Sequence, residues 1–152
     1  MEYHENYILS SVKNALQLLR TFSLEETEKG ITEFAKSLNL GKSTVQRLVA
    51  TLASEGFLEK SPTSRKYRLG LSILNLSGII ISSNELYNQA MPVLRKLVES
   101  VGETAHIAIL DGLNVVYLLK VECNHPVRCM TYLGSRNPLY STSSGKVILA
   151  HQ

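Results

Sequence analysis

Five polar side chains open a helical pattern and have the chemistry needed to bind DNA. They are Lys42, Ser43, Thr44, Gln46 and Arg47. Apolar residues recur through this segment at three- and four-residue spacing, which buries one side of a helix and leaves its polar N-terminal residues outside. The apolar residues are Val45, Leu48, Val49 and Leu52. Glutamine suits adenine and arginine suits guanine, and both can also hold phosphate. For Arg47 we expect contact with a base edge. The alternative is that Arg47 holds only a phosphate or a neighbouring glutamate, and contact with phosphate is as well supported as contact with a base.

A second helical pattern precedes these residues and positions them. It buries Phe34, Ala35 and Leu38, has Thr32 as its expected N-cap, and ends in the turn Asn39-Leu40-Gly41. Two short helices joined by a glycine-containing turn are typical of a helix-turn-helix that reads DNA. A further helix is expected over 11–22, with an apolar stripe that completes a small core. The stripe consists of Val12, Ala15, Leu16, Leu19 and Phe22.

A basic hairpin follows the second helix of the pair. Phe57–Lys60 and Lys66–Leu69 read as strands around a turn, and a hairpin at this position is a wing. Arg65 and Lys66 are then expected to pair with phosphate or to reach the minor groove. Residues 36–68 carry seven basic and two acidic side chains, a local charge of +5, whereas residues 1–35 carry −3. The positive charge coincides with the expected DNA reader, although a solvated charged face is the alternative.

The pattern changes near residue 84, where Ser82, Ser83 and Asn84 form a polar break. The expected elements after the wing are a helix over Leu71–Ser83, a helix over Tyr87–Val101, strands over Thr104–Leu110 and Asn114–Val121 joined by Asp111-Gly112, a third strand over Val127–Leu133, and a final helix from Ser143. The sequence therefore predicts two domains.

The remaining motifs give no sign of catalysis, a metal or a cofactor. Cys123 and Cys129 lack paired CxxC spacing and are expected to be reduced. The four histidines are scattered, so that a metal site would have to be assembled by tertiary folding alone. Ser144-Gly145-Lys146 fails both required positions of a phosphate-binding loop. No segment has the length or apolarity of a signal peptide or membrane span, which predicts a cytoplasmic protein with no membrane partner.

Several segments resemble the IclR-type bacterial transcription regulators in order and spacing. They are SVKNALQLLRTF, ITEFAKSLNLGKSTVQRLVATLASEGFLEK, KYRLGLSILNLS and PLYSTSSGKVILA. The resemblance implies an α+β protein with a winged helix-turn-helix DNA-binding domain over 1–70, a linker helix over 71–84, and the N-terminal part of a GAF-like α/β effector-binding domain over 85–152. It also places the five polar residues of the recognition helix on the DNA-facing side.

The resemblance further implies a homodimer, or a dimer of dimers, on pseudo-palindromic double-stranded operator DNA. Surplus apolar surface on the linker helix is the expected dimer contact. A small organic acid is the expected effector, and the helix entrance around Gly145 offers hydroxyls and amides to a carboxylate. The tentative effector residues are Ser143, Ser144, Gly145 and Lys146. Simple N-capping is the alternative for this segment.

Family members usually continue well beyond the glycine-lysine block, so that the sequence is expected to be a fragment, a truncated product or a degraded paralogue, with its effector domain incomplete. An interaction module that heterodimerises with full-length regulators is therefore the alternative function. A small-molecule sensor or enzyme ranks last.

Overall fold

The computed structural model describes residues 7–126 and 129–151. The chain divides after Ile79 into two compact units. The helices are α1 (Ser10–Leu19), α2 (Ile31–Leu38), α3 (Lys42–Ser54), α4 (Leu71–Ser83), α5 (Glu85–Val101) and α6 (Ser143–Ala150). The strands are β1 (Leu58–Lys60), β2 (Tyr67–Leu69), β3 (Ala105–Asp111), β4 (Asn114–Val121) and β5 (Arg136–Pro138). None of the described helices is long and apolar enough to cross a membrane.

One core holds α1, α2, α3 and β1 together. Its fully buried members include Leu18, Phe34, Val45 and Val49. Phe22 packs edge-to-face on Phe34, with ring centroids 5.6 Å apart. Burying a side chain of this kind stabilises the fold by roughly 1.5–3 kcal/mol, so that this cluster fixes how α2 and α3 pack. The predicted buried sides of both helices are confirmed.

The α2–α3 turn is held by backbone geometry. Asn39 adopts a left-handed conformation with φ 52°, which asparagine tolerates better than most residues. The Leu40 amide then donates to the Ala35 carbonyl at 3.0 Å, and the chain enters α3 at Lys42. The Thr32 N-cap prediction is wrong. Gly30 precedes α2, and its amide donates to the Glu33 carboxylate at 2.6 Å, because a carboxylate three residues on can reach that amide.

The predicted wing is present and is fastened at its base. β1 and β2 pair antiparallel, with Glu59 opposite Arg68. Gly56 takes the left-handed conformation with φ 72° expected of it after α3. Gly70 passes so close to this turn that a Cβ would overlap the Gly56 carbonyl oxygen. On the other edge of β2, Lys29 and Tyr67 exchange backbone hydrogen bonds of 2.9 and 2.8 Å. The wing is therefore held from two sides.

Helix α1 differs from its predicted stripe. Leu18 is its buried residue, and Ala15, Leu19 and Phe22 pack partly against the core as expected. Val12 and Leu16 are instead 52% and 54% exposed. Because the helix buries the side that carries Leu18, Val12 and Leu16 face away from the core. An apolar strip is left on the outside of α1.

The second unit contains a three-stranded antiparallel sheet in the order β3-β4-β5. The two-residue connection between β3 and β4 is Gly112-Leu113, one position later than predicted, because Asp111 pairs with Asn114. The third-strand prediction is wrong: the strand is Arg136–Pro138, and residues 129–133 form no strand. Val127 and Arg128 of that prediction lie outside the described residues. β5 pairs with Asn114, Val115 and Val116 at the start of β4, so that the third strand of the sheet lies later in the chain than predicted.

Candidate nucleic-acid interface

The five predicted residues of α3 are all exposed. They lie opposite the buried Val45, Val49 and Leu52. At 3.6 residues per turn, Ser43 and Arg47 lie along the middle of the exposed face. Lys42 and Gln46 flank them on one side, whereas Thr44 lies on the other side. The helix therefore presents two neighbouring rows of polar side chains to a ligand.

Arg47 lies beside the N-terminal end of α1. Its side chain and Thr44 line a cleft of about 290 Å³, and Ser10, Ser11 and Asn14 form the opposite wall. The lining contains no carboxylate. Among residues 7–126 and 129–151, Arg47 forms no ion pair, so that the alternative of a neighbouring glutamate is not realised. Its guanidinium is available to a base or a phosphate.

The N-terminus of α3 adds a second attraction for anions. Gly41 occupies the N-cap position and has no side chain that could accept a hydrogen bond from the first amides. These amides have no partners inside the helix, and the helix dipole places partial positive charge on them. Lys42 follows immediately and is exposed. The amides and the lysine together make a suitable site for a DNA phosphate.

The two predicted wing residues differ in their surroundings. Arg65 is exposed in the connection between β1 and β2 and makes no ion pair within the described chain. The Lys66 Nζ atom instead lies 2.9 Å from the Glu33 carboxylate, and both side chains are about half exposed. This hydrogen bond raises the pKa of Lys66 and lowers the pKa of Glu33. A phosphate would have to displace a carboxylate at Lys66 but not at Arg65.

The segment before α2 brings further carboxylates to the same edge of the wing. Glu28 accepts a hydrogen bond of 3.0 Å from the Ser64 hydroxyl, and Glu26 pairs with Lys29 at 2.6 Å. Glu33 holds Lys66 nearby. These carboxylates make the α2 side of the wing unfavourable for phosphate. The wing cations without carboxylate partners in the described chain are Lys60 and Arg65.

Sequence reasoning did not select Glu33 or Lys60 as site residues. Glu33 carried one local signal, since a glutamate in the third helical position commonly accepts from the preceding amide. Its link to Lys66 joins positions 33 residues apart and has no sequence signature. Lys60 belongs to the basic segment. It is exposed at the end of β1, and unlike Arg68, which pairs with Glu59, it has no ion pair in the described residues.

The tentative effector residues lie at the start of α6. The Thr142 hydroxyl accepts the Gly145 amide at 2.9 Å, which is the N-capping alternative. Gly145 is buried, and a Cβ there would overlap the Leu139 carbonyl oxygen. Ser144 is half-buried, and Ser143 and Lys146 are exposed. Thr142 and Gly145 thus have structural roles, and an effector role for Ser143, Ser144, Gly145 and Lys146 stays a prediction.

Two family models match most of the chain. Residues 11–62 match the IclR helix-turn-helix domain. Residues 79–152 match the C-terminal domain of the bacterial transcriptional regulator IclR. The first match contains α1 except its first residue, all of α2 and α3, and β1, and the second contains the sheet of the second unit.

Known regulators and their structures agree with these matches. The HTH-type transcriptional regulator XynR of Escherichia coli K12 is 35% identical over 143 residues, which cover 94% of this chain and 57% of XynR. A transcriptional regulator of Alicyclobacillus acidocaldarius is 28% identical with a TM-score of 0.82, covering 96% of this chain and 60% of that one. An IclR homologue of Microbacterium hydrocarbonoxydans, solved with 4-hydroxybenzoate, is 25% identical with a TM-score of 0.81, covering 93% and 59%. The chain spans about half the length of the curated relatives it matches.

Proposed function

The chain belongs to the IclR family of bacterial transcriptional regulators, and we propose that it binds a pseudo-palindromic operator as a homodimer. In this proposal α3 enters the major groove, where Gln46 and Arg47 contact base edges. Lys42, Ser43 and Thr44 bind the phosphates at the groove edge, together with the amides of the helix N-terminus. Arg65 at the wing contacts the neighbouring backbone, and Lys66 is a weaker contact because it has a carboxylate partner.

The observation that carries the proposal is the distribution of unpaired cations. Lys42, Arg47, Lys60 and Arg65 are exposed and have no carboxylate partner in the described residues. The first two lie on the exposed side of α3 and the other two lie on the wing. A helix and an adjoining hairpin with unpaired positive charge match a duplex, which carries a regular row of phosphates beside its grooves.

Exposed apolar surface supports the homodimer. Helix α4, which follows the wing, has no buried residue, although more than half of its residues are apolar or glycine. Its large exposed side chains are Leu71, Leu74, Leu76, Ile79 and Ile80. The apolar strip on α1, with Val12 and Leu16, adds a second uncovered surface together with Tyr7, Ile8 and Leu9, which precede the helix. Contiguous apolar patches of this kind are typical of protein interfaces.

Selection of bound sites from random duplex DNA tests DNA binding and symmetry together. We expect a pseudo-palindrome whose half-sites are about 10 bp, or a multiple of it, apart from centre to centre. Enrichment of no sequence, or of a single unrepeated half-site, would contradict the proposed homodimer. Sedimentation of the parent protein and of Ile79→Asp, both without DNA, tests dimer formation separately from DNA binding. Ile79→Asp should lose the dimer and, with it, cooperative binding to both half-sites.

We also infer that a small organic acid controls DNA binding through the second unit. The similar Microbacterium protein was solved with the carboxylate 4-hydroxybenzoate. The residues proposed to meet the carboxylate are those at the start of α6, where the first amides and Lys146 are positive. Calorimetric titration with 4-hydroxybenzoate and related acids tests this, with Lys146→Ala expected to weaken binding and Lys96→Ala on α5 as the control.

A further inference from the structure

The geometry points to a metal site formed by Glu103, Cys123 and His125 in the second unit, and we propose that it binds a zinc-like divalent transition-metal ion. One ligand atom of each side chain lies within 4.8 Å of the other two. None of the three residues belongs to α3, the wing or the start of α6. It therefore adds a function to the chain that DNA reading does not use.

Secondary structure brings the three side chains together. Helix α5 ends at Val101 and is capped by Gly102, which adopts φ 71°, and Glu103 follows directly. Ala105 pairs with Val121 at the end of the antiparallel β3–β4 ladder, so that Glu103 and Cys123 both lie two residues beyond this same end. His125 follows two residues after Cys123. The site therefore joins the end of α5 to the open end of a hairpin.

Thr104 holds Cys123 in place. Its hydroxyl accepts a hydrogen bond from the Cys123 amide at 3.1 Å and donates to the Cys123 Sγ atom at 3.3 Å. The hydroxyl thus fixes both the backbone and the sulfur of the same residue. Outer groups that orient a ligand in this way commonly tune metal affinity by 10–100-fold. Thr104 is a positioning residue and not a ligand.

The donor set selects the class of metal. A thiolate, an imidazole and a carboxylate are the three side-chain types that zinc uses, whereas magnesium and calcium prefer oxygen alone. Three protein ligands leave a fourth position of a tetrahedron for water or another small ligand. Glu103 and His125 are exposed and Cys123 is partly exposed, so that all three can rotate to close on an ion.

The site also has an entry path. Cys123 and His125 line an open cavity of about 630 Å³ between α5 and the residues that follow β4. The same cavity is lined by two acidic side chains, Glu99 and Glu122, and by two basic ones, Arg95 and Lys120. An aqueous cation can therefore reach the thiol and the imidazole without unfolding of the sheet.

The test uses the whole chain, with any affinity tag removed and the protein stripped with a chelator. Titration with Zn²⁺ followed by metal analysis is expected to give one ion per chain. Titration with Co²⁺ is expected to give a thiolate-to-cobalt charge-transfer band. Binding of less than one ion per chain at micromolar protein, or a cobalt spectrum without this band, would overturn the proposal.

Variants identify the ligands. Cys123→Ser should abolish the charge-transfer band, whereas Cys129→Ser, which removes the other thiol, should keep it. His125→Ala and Glu103→Gln change exposed side chains and should weaken Zn²⁺ binding at least tenfold without loss of the circular-dichroism spectrum. Thr104→Ala should weaken binding about tenfold, and Thr104→Ser should restore it. Retention of the band in Cys123→Ser, or of full affinity in both His125→Ala and Glu103→Gln, would show that the ion binds elsewhere.

Discussion

Replacing Arg47 with alanine is the most direct test of the proposed reading surface. The side chain is exposed on α3 and has no ion pair in the described parts of the chain. Arginine and alanine are both good helix formers, and the Thr51 hydroxyl bonds the backbone carbonyl of Arg47, which alanine keeps. We therefore expect the free energy of unfolding to change by less than about 0.5 kcal/mol. Any large loss of affinity then comes from the contact with DNA.

The expected loss follows from the kind of contact. A bidentate pair with a guanine contributes about 1–3 kcal/mol of discrimination, so that Arg47→Ala should weaken binding to the selected operator about tenfold or more. A purely phosphate contact would instead weaken binding to all duplexes by similar factors and lower the salt slope by about 1. Mobility-shift titrations on the operator and on a scrambled duplex, each at several salt concentrations, distinguish the two alternatives.

The matched control is Arg95→Ala. Arg95 is exposed on α5, in the second unit, and its replacement removes the same charge from the chain. Both variants should show the same circular-dichroism spectrum and dimer mass as the parent protein. Equal operator affinities for Arg47→Ala and Arg95→Ala would refute the assignment of Arg47 to the reading surface, and with it the proposed orientation of α3.

Three further predictions concern the wing, two glycines and a histidine. On random-sequence duplex DNA, Arg65→Ala should make the negative slope of log K against log salt less steep by about 0.9. Lys66→Ala should change this slope by clearly less, because Lys66 already has a carboxylate partner. Equal changes in slope would contradict that difference. In denaturant titrations, Gly70→Ala should lower the free energy of unfolding by about 1–3 kcal/mol because its Cβ overlaps a backbone oxygen. Gly78→Ala, which meets open space in α4, should instead raise it by up to about 1 kcal/mol, and a loss at both positions would show that crowding is not the cause. Burial, and secondarily Lys120, lowers the pKa of His106 below 6.5, so that the unfolded chain binds this proton more readily and stability should fall as the pH drops below that value. Melting His106→Phe and the parent protein at about pH 7.5 and about pH 5.5 checks this, since the variant should lose less stability at the lower pH and an identical loss would exclude His106.

Local patterns were sufficient for the DNA-reading half of the chain. Apolar spacing predicted the buried sides of α2 and α3, and Gly56 and the basic hairpin predicted the wing. These features depend on residues a few positions apart, whose helix or strand geometry is fixed by short-range sterics and burial. The prediction of the third strand failed because residues 127–133 have the composition of a strand, whereas pairing with β4 occurs at Arg136–Pro138.

Residue types and their spacing were enough to predict a helix-turn-helix with polar side chains on the reading helix and a basic wing. Which of those charges remain unpaired depends on the folded chain, because folding brings Glu33 to Lys66 and leaves Arg47 and Arg65 without carboxylates in the described residues. Folding also places Glu103 beside Cys123 and His125, which no spacing motif marks. Side chains separated along the chain meet only when whole helices and strands pack, and the energy that packs them comes from the core and not from the charged groups themselves.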